Sequence, residues 1–315
     1  MGSKPSGISG SRAATILNLN KWATPVDAWL KIMEERKPGF CKENNFETPI
    51  HQENAAMAWG LAMENKIIEL ASREYGSFIS CETFEKEFVH PDYGFITCHV
   101  DGIFDDGCIH EGKTTNSRTF YSDWGQPEGD GVPAYYKAQV QHQMLLAGSP
   151  CAIVSVLVFP KMQDEFGDLD PNMHDHWADT LYEMGYFHQY AIEANPELHE
   201  MMIEIYKEFW ERYVIGETPP DPVEYEDIRK LVRDPIGTIV ADDDIYRLSQ
   251  TYKQITNEVS QANKQKGALK TQILSYMKKQ AEKNAESIDD DSREKWVLRD
   301  QAGRKLHQFD GRKFR

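Results

Sequence analysis

The sequence predicts an α/β fold, with helices packed on a sheet, followed by a helical extension. Residues 50–159 alternate between helix-like and strand-like apolar periods in the order α-β-β-β-α-β. The continuous apolar run at 152–159 (AIVSVLVF) is typical of a strand buried on both faces. Apolar residues from Ile245 to Tyr276 recur at alternating spacings of three and four, which indicates a long helix with one apolar stripe.

The individual elements follow from the period of the apolar residues and from the turn signals between them. Helices are predicted at residues 7–17, 26–36, 50–75, 134–148, 173–193 and 196–214. Strands are predicted at residues 81–89, 94–104, 107–114 and 152–159. The sequences HPDYG (90–94) and DDG (105–107) are turn signals, and the Gly- and Pro-rich residues 115–134 predict a loop.

The C-terminal part has a different pattern. The stripe between residues 245 and 281 is compatible with a coiled coil, with a helical hairpin bent near Gly267, or with an amphipathic helix packed on the body. Residues 295–309 alternate around Gln-Ala-Gly, which predicts a β-hairpin.

Composition sets limits on the class of protein. With 315 residues, 40% apolar and 27% charged, the chain can build one large core with appendages or two domains. No apolar run reaches the roughly 18 residues of a membrane span, and the N-terminal residues lack the apolar stretch of a signal peptide. The five cysteines are scattered without a CxxC motif, so we expect no disulfide framework, no structural zinc and a cytoplasmic location.

The net charge of −16 is unevenly distributed along the chain. Residues 1–240 hold 19 Lys and Arg against 39 Asp and Glu, whereas residues 241–315 hold 16 against 12. The acidic body could hold metal ions, and the basic end could bind a polyanion such as nucleic acid.

Three ionisable residues around the DDG turn form the most informative constellation. Asp101 and Glu111 are symmetric about position 106, so an antiparallel hairpin centred there brings them opposite each other, about 5 Å apart at Cα. Lys113 lies two residues after Glu111 and therefore on the same face. Two neighbouring carboxylates repel each other unless a divalent cation lies between them, and the lysine could then stabilise an attacking water or an oxyanion. The alternative is a solvated hairpin with ordinary surface charges.

Flanking segments add polar residues to this constellation. The helix predicted at 134–148 supplies Gln139, Gln141 and Gln143, and the helix predicted at 50–75 supplies Glu64. The strands of the hairpin carry apolar residues on either side of the charged positions, which favours a partly buried site.

Together these segments resemble the PD-(D/E)xK nucleases, and within them the YqaJ-like viral recombinases and lambda-type exonucleases. The resemblance covers residues 1–220 and rests on GISGSRAATILNLNKWATP (7–25), WGLAMEN (59–65), HVDGIFDDGCIHEGKTT (99–115), VPAYYKAQVQHQMLLAG (132–148) and FWERYVIGETPP (209–220). It implies a restriction-endonuclease-like core, a mixed sheet flanked by helices, at residues 1–225. A helical or coiled-coil extension with a basic hairpin would occupy residues 226–315. His110 and Gly112 depart from the family pattern, which has apolar residues at both positions.

The resemblance also implies roles for the site residues. Asp101 and Glu111 would bind the catalytic metals, with Glu64 as a further ligand, and oxygen ligands of this kind suit Mg²⁺ or Mn²⁺, two per active site. Lys113 would position or help to deprotonate the attacking water. Gln139 would hold the nucleophile or the phosphate.

Five further residues are predicted to contact DNA. Ser9, Ser11 and Arg12 open a helix whose backbone N–H groups could hold a 5′-phosphate, although the serines could equally be simple caps. Lys4 stands near the place where relatives often carry an arginine, and Gln141 lies two residues beyond Gln139.

The function that the resemblance implies is a metal-dependent exonuclease. It would digest linear double-stranded DNA from 5′ to 3′ and leave 3′ single-stranded tails for phage-type recombination. The implied partners are DNA ends, other copies in a ring such as a trimer, and a single-strand annealing protein, in a bacterial or phage-infected cell. Two alternatives are a structure-specific or restriction-like endonuclease of the same superfamily and a non-catalytic DNA-binding scaffold.

Overall fold

A computed structural model describes residues 7–50, 55–77, 79–80, 86–125, 131–159, 174–232, 237–284 and 296–309. The chain divides into two compact units, Met1–Pro235 and Ile236–Arg315. The helices of the first unit are α1 (Gly10–Ile16), α2 (Pro25–Arg36), α3 (Phe40–Glu43), α4 (Ala55–Tyr75), α5 (Ser117–Asp123), α6 (Ala134–Ala147), α7 (His174–Glu183), α8 (Pro196–Glu208), continued by a π-helical segment at Phe209–Ile215, and α9 (Tyr225–Leu231).

The strands of the first unit form one main sheet and a small antiparallel pair. The strands are β1 (Ile79–Ser80), β2 (Phe88–Val89), β3 (Thr97–Cys98), β4 (Gly102–Phe104), β5 (Ile109–Asn116), β6 (Cys151–Phe159) and β7 (Phe187–Glu193). The main sheet has the order β1-β4-β5-β6-β7, in which only β5 and β6 run parallel. A parallel pair needs a crossover, and helices α5 and α6 lie in that connection.

Helices cover both faces of this sheet. On one face, Val140 and Met144 of α6 pack against Ile109, Val154 and Val156. On the other face, α4 contributes Met63, Ile67 and Leu70, which pack with Leu157 and Phe159 of β6. Strand β6 is buried along almost its whole length for this reason. The predicted mixed sheet flanked by helices is confirmed.

The hairpin predicted around residue 106 is confirmed in register. Strand β4 pairs with β5 through Gly102 opposite His110 and Ile103 opposite Ile109. Gly107 has a φ of 88°, a left-handed conformation that glycine adopts without a steric penalty, and its N–H donates to the Phe104 carbonyl at 2.9 Å. The turn therefore fixes which residues of the two strands oppose each other.

A helical layer formed by α1, α2 and α8 packs next to the sheet. Its core contains the large side chains Trp29, Tyr206 and Trp210, and the Phe95 ring stacks on Trp210 with centroids 4.4 Å apart. Ile8 joins this layer to residues near β3 through a parallel bridge with Ile96.

Helix α9 belongs to the first unit. The buried Asp227 carboxylate accepts a hydrogen bond of 2.6 Å from the Thr24 hydroxyl, and Lys230 forms a 2.8 Å ion pair with Asp27. The division between the units thus follows α9, at 235/236, whereas the sequence-based boundary at 225/226 falls after the first residue of this helix.

Several predicted elements are wrong or shortened. The helix predicted at 173–193 ends at Glu183, because Gly185 turns the chain with a φ of 78° and residues 187–193 pair with β6 as strand β7. The loop predicted at 115–134 contains α5, which Asn116 caps by accepting from the Thr119 N–H at 2.9 Å. The strand predicted at 94–104 is interrupted between β3 and β4, and residues 81–85 of another predicted strand lie outside the described residues.

The structure contains a disulfide, which the cysteine pattern did not predict. Cys108 and Cys151 form a disulfide with their Cα atoms 4.7 Å apart. They precede paired positions, Ile109 and Ala152, on the parallel strands β5 and β6, and this tertiary neighbourhood cannot be read from a separation of 43 residues. Cys41 and Cys98 are free and buried.

The second unit contains one long helix and a hairpin. Helix α10 is continuous from Asp243 to Asn284, so of the alternatives that the sequence left open, the helical hairpin bent near Gly267 is excluded. Strands β8 (Trp296–Arg299) and β9 (Lys305–Phe309) pair antiparallel, which confirms the predicted β-hairpin. None of the described helices combines the length and the apolar content of a membrane span.

We expect Gly267→Ala to stabilise α10 by ~1 kcal/mol, the difference in helix propensity between the two residues. A Cβ at this position meets no atom within 4 Å, so no steric cost opposes the gain. Circular dichroism during thermal unfolding measures the change. Gly148→Ala is the contrasting control, because its φ of 67° is unfavourable for alanine. A decrease in helical stability in Gly267→Ala would contradict the expectation.

Candidate active site

The β4–β5 hairpin brings the two predicted carboxylates together. Asp101 immediately precedes β4 and, by continuation of the register, lies opposite Glu111 of β5. The Asp101 Oδ2 atom accepts a hydrogen bond of 2.8 Å from the Gly112 N–H. Glu111 is 3% exposed and therefore places a carboxylate in the protein interior. A buried carboxylate needs hydrogen bonds and a cationic partner.

Both oxygens of Glu111 have such partners. The Nε2 atoms of Gln139 and Gln143 donate to Oε1 and Oε2, each at 2.6 Å. The Lys113 ammonium donates to Oε1 and forms an ion pair with it. Gln143 also donates to the His99 carbonyl at 3.1 Å. The side chains of α6 and of β5 itself thus hold Glu111 in one orientation.

Lys113 keeps its positive charge in this environment. Burial by itself lowers its pKa, but the neighbouring carboxylates of Glu111 and Asp101 outweigh burial and raise the pKa above its ordinary value. The Tyr136 ring lies under the ammonium at 4.9 Å, a distance at which an aromatic face attracts a cation. Lys113 is therefore a fixed cation beside the two carboxylates.

Asp101 is the less stabilised of the two acids. Burial and the nearby Glu111 raise its pKa from 3.8 to about 7, against the opposing effects of Lys113 and of the Gly112 hydrogen bond. The ionised form of Asp101 therefore lacks sufficient positive charge around it. A cation placed beside Asp101 and Glu111 would relieve this deficit.

The two carboxylates lie between two cavities. A cavity of about 590 Å³ on the lysine side, here called the lysine-side cavity, is lined by Lys113, Glu64 and Tyr136 as well as by Asp101 and Glu111. A second cavity of about 530 Å³, the glutamine-side cavity, shares the same two carboxylates. Its further lining residues include Gln139, Gln143, Ser9, Ser11, Arg12, Glu35 and Glu87.

The donor set agrees in chemical type with a hard divalent cation. Asp101 and Glu111 offer carboxylate oxygens, and Glu64 is an exposed carboxylate on the wall of the same cavity. Within the described ranges, no group of three His, Cys, Asp or Glu side chains is close enough to hold a metal ion. Glu64 thus faces the site from α4, but it does not form a closed ligand set with the other two.

Three of the residues predicted to bind DNA share the glutamine-side cavity. The Ser9 and Ser11 hydroxyls contact each other at 3.1 Å, and Ser9 makes no side-chain cap to α1. Arg12 donates to the Gly7 carbonyl at 2.7 Å and pairs with Glu35. Their polar groups therefore line the site and do not serve only to start the helix.

Gln141 is not part of the site. It is buried on another side of α6, where its Nε2 donates to the Glu193 carbonyl at 2.8 Å. Its Oε1 accepts from the Asn195 N–H at 3.0 Å and contacts the His199 ring at 2.7 Å. The Gln141 amide joins β7 to the start of α8, so the structure does not bring this residue to the site with the other predicted DNA contacts. Lys4 lies outside the described residues.

The two departures from the family pattern face α4, on the side of β5 opposite Glu111. A Cβ at Gly112 would come within 3.0 Å of the Ile67 side chain, so glycine allows α4 to pack closely here. His110 is fully buried against Phe104, and neither ring nitrogen has a hydrogen-bond partner among the described residues. Burial lowers the pKa of His110 to about 4, so it packs as a neutral ring.

Gln143 is a site residue to which the sequence motifs assign no role. Positions 139 and 143 are separated by four residues and therefore share one face of a helix, whereas position 141 points elsewhere. This spacing was the available signal, and it favours Gln143 over Gln141. The contact of Tyr136 with Lys113 had no comparable signal, because it depends on how α6 lies on the sheet.

The sheet, its hairpin and the position of the Asp101, Glu111 and Lys113 motif define a protein with the PD-(D/E)xK fold. Residues 2–150 match the family model of the YqaJ-like viral recombinase domain. Over this stretch, just under half of the chain, the match agrees with the family that the sequence motifs indicated.

Individual proteins show the same similarity. The uncharacterized protein YqaJ of Bacillus subtilis (strain 168) is 27% identical over 218 residues, which cover 68% of this chain and 55% of the relative. The chain thus spans about half the length of this curated relative. The alkaline exonuclease LHK-Exo from Laribacter hongkongensis is 18% identical, with a TM-score of 0.47 over 67% of this chain and 90% of that one. A phage related exonuclease from Haemophilus somnus 129PT is 16% identical, with a TM-score of 0.43 over 67% and 96%.

We expect Gln141→Leu to lower the free energy of unfolding by about 1–3 kcal/mol. The substitution removes the part-buried hydrogen bonds that the Gln141 amide makes with the Glu193 carbonyl and the Asn195 N–H, and a hydrogen bond of this kind contributes roughly 0.5–1.5 kcal/mol. Chemical denaturation measures the loss. The exposed Asp105→Asn is the control, because it removes no contact of this amide. No measurable loss in Gln141→Leu would contradict the structural role of this amide.

We expect Asp101→Asn to stabilise the metal-free protein at pH 8 and to lose this advantage as the pH falls to 5. The raised pKa means that the folded protein holds a proton between pH 3.8 and about 7 that the unfolded chain has released, so stability falls as pH rises through this range. Asparagine does not titrate and escapes this loss. Thermal unfolding in EDTA at several pH values measures the difference, with the exposed Asp105→Asn as control. A pH-independent effect of Asp101→Asn would refute the assigned pKa direction.

Proposed function

We propose that this protein is a metal-dependent exonuclease that digests linear double-stranded DNA from 5′ to 3′. The observation that carries the proposal is the convergence of Asp101, Glu111, Lys113 and Gln139 between the two cavities. Paired carboxylates can bind the metal ions of a metal-dependent phosphodiester hydrolysis, and a fixed cation beside them can stabilise the negative charge that develops. The match of residues 2–150 to the YqaJ-like viral recombinase family supports this choice of chemistry.

In the proposal, Asp101 and Glu111 bind Mg²⁺ or Mn²⁺, two ions per site, with Glu64 as a further ligand from α4. The fit rests on the donor chemistry and on the raised pKa of Asp101, which indicates a deficit of positive charge beside it. Bound divalent cations would neutralise charge on the phosphodiester and make a water molecule easier to deprotonate.

Lys113 acts as an electrostatic stabiliser in this mechanism. Its raised pKa keeps the ammonium charged near neutral pH, so it is suited to donate to an anionic oxygen rather than to remove a proton. Negative charge grows on the phosphate oxygens in the transition state, and a cation fixed beforehand costs no reorganisation at that moment. The Tyr136 ring keeps the ammonium directed at the site.

Gln139 and Gln143 position Glu111. Each amide donates to a different carboxylate oxygen, so rotation of the Glu111 side chain would break both hydrogen bonds. A carboxylate held in this way presents the same atoms in every turnover, which is how preorganised sites reduce their activation cost. Gln139 also lines the glutamine-side cavity, where it can contact the phosphate.

Recognition of the DNA end is assigned to the glutamine-side cavity. Ser9, Ser11 and Arg12 offer two hydroxyls and a guanidinium, which are suitable donors for a terminal 5′-phosphate. A phosphate held there would lie on one side of the carboxylate pair, and this arrangement is the reason for the 5′→3′ polarity in the proposal. The role of Lys4 stays a prediction.

The proposed biological role is end resection in phage-type homologous recombination. The enzyme would leave 3′ single-stranded tails for an annealing protein, in the cytoplasm of a bacterial or phage-infected cell. A ring of several copies around DNA would make digestion processive. An endonuclease of the same superfamily would use the same site chemistry, so the choice of DNA substrate separates the two functions.

We expect linear double-stranded DNA to be digested with Mg²⁺ or Mn²⁺ and to stay intact in EDTA, because the carboxylates need the cation. Asp101→Asn and Glu111→Gln should lower turnover by at least ~100-fold, as each removes a charge that binds metal. The assay follows DNA labelled at either end, with Asp105→Asn from the same hairpin as matched control.

Closed circular DNA and label position decide between the proposals. The exonuclease proposal requires that closed circles survive and that the 5′ label is released first. Cleavage of closed circles would instead identify an endonuclease. Binding without any cleavage under all metal conditions would identify a scaffold.

We expect Lys113→Ala to lower the cleavage rate by on the order of 100-fold or more while DNA binding is retained. The lysine contributes to the transition state, worth several kcal/mol, whereas phosphate contacts in binding extend over a wider surface. Single-turnover rates and a binding titration in Ca²⁺ measure the two effects separately, and Lys137→Ala on the same helix as Gln139 is the control. Parallel losses of binding and cleavage would make Lys113 a phosphate clamp only.

A further inference from the structure

The long helix of the second unit carries an unbroken heptad repeat. Ten positions, here called the seam, alternate at spacings of three and four residues: Ile245, Leu248, Tyr252, Ile255, Val259, Ala262, Lys266, Leu269, Ile273 and Tyr276. At 1.5 Å per residue the seam extends over ~47 Å of helix. Eight of the ten are apolar residues larger than alanine, so the pattern is that of a coiled coil.

The seam is not covered by the described part of the second unit. Leu248 and Tyr252 are 65% and 73% exposed, and Ile255 and Leu269 are exposed to a similar degree. Met277, one residue beyond the seam, is buried by contrast. Helix α10 also contacts strand β8 of the hairpin. A helix of this length derives most of its stability in water from a packed apolar face, so the seam requires a partner.

We propose that the partner is the same helix of a second copy of this chain, parallel and in register, in a two-stranded coiled coil. A heptad seam packs best against another seam with the same repeat, and a second copy supplies one of equal length with matching positions. The proposal concerns contacts through the second unit alone. It is independent of the proposed nuclease activity and of the proposed ring around DNA, because a pair of helices can join two copies that belong to different rings.

The charges beside the seam fit this partner. In a parallel pair, a residue on one flank of the seam meets the residue five positions later in the partner copy, which lies on the opposite flank. Glu258 would face Asn263 of the partner copy, and Gln265 would face Lys270, so no like charges meet at these pairs. The cations Arg247, Lys253 and Lys264 lie on outer positions, and pairing leaves them in solvent.

Lys266 favours two helices in register. It occupies position a, the first position of its heptad, and a single polar residue at this position specifies register and oligomer state at some cost in stability. In a two-stranded coil, a lysine can lay its methylene groups along the seam and keep the ammonium in water. β-branched Ile245, Val259 and Ile273 at equivalent positions also favour two strands.

Cysteine cross-linking of the full-length protein tests both the pairing and its register. Ala262→Cys places a thiol in the seam, where a parallel, in-register partner brings the same thiol within disulfide reach. Gln261→Cys, one residue away on the outer face, is the matched control. Native Cys41 and Cys98 are buried and Cys108 is paired with Cys151, so the wild-type chain serves as background.

We expect oxidised glutathione to convert most of Ala262→Cys into a covalent dimer on a non-reducing gel, and at least ~10-fold less of Gln261→Cys. Failure of Ala262→Cys to cross-link, or equal cross-linking of both variants, would overturn the proposal. A seam that packed on its own chain or on a different protein would give the same negative result.

A second measurement checks that the seam drives association. The double variant Ile255→Glu with Leu269→Glu introduces charge into the seam, whereas Gln250→Glu with Gln261→Glu adds the same charge on the outer face. Sedimentation of the full chain should show a smaller mass for the seam variant alone, with DNA cleavage on short linear duplexes unchanged in both. Equal masses for all three proteins would reject the pairing, and loss of cleavage would concern the nuclease proposal instead.

Discussion

Burial of the Glu111 carboxylate beside Asp101 is the constraint on which the rest of the site depends. A buried carboxylate is unfavourable unless donors surround it, and here Lys113, Gln139 and Gln143 supply them. The carboxylates also sustain the charge of Lys113, whose burial alone would favour its neutral form. The ionised form of Asp101 is stabilised less than that of Glu111, because burial and the nearby Glu111 raise the pKa of Asp101. A further cation beside Asp101 would stabilise its ionised form.

This constraint explains several features of the sheet. The parallel pairing of β5 and β6 requires a crossover, and the crossover carries α6, which delivers the two glutamines to Glu111. On the opposite face, Gly112 lets α4 approach β5 and donates its backbone N–H to Asp101. The same helix places Glu64 on the wall of the lysine-side cavity. Helices α4 and α6 thus both pack on the sheet to form the core and place the residues of the site.

The two units divide the charge between them. Residues 1–240 carry the excess of acid, which suits cation binding, while residues 241–315 carry a net excess of base. An acidic site that acts on a polyanion, as proposed, gains from basic groups elsewhere, and the outward cations of α10 stay in solvent in the proposed coiled coil. The same helix could therefore serve assembly through its seam and electrostatic attraction through its outer face.

The sequence by itself determined the local parts of this protein. The Asp105-Asp106-Gly107 turn fixed the register that opposes Asp101 to Glu111, and the two-residue period put Lys113 on the same face, because both are properties of neighbouring residues. Tertiary structure decided the rest. Residues 187–193, predicted as helix, form β7 because they pair with β6 in the sheet. Cys108 and Cys151 meet because their strands are neighbours. The packing of α6 on the sheet places Gln143 beside Glu111 and Gln141 away from it. Those outcomes depend on contacts between segments far apart in the chain, which no local pattern contains.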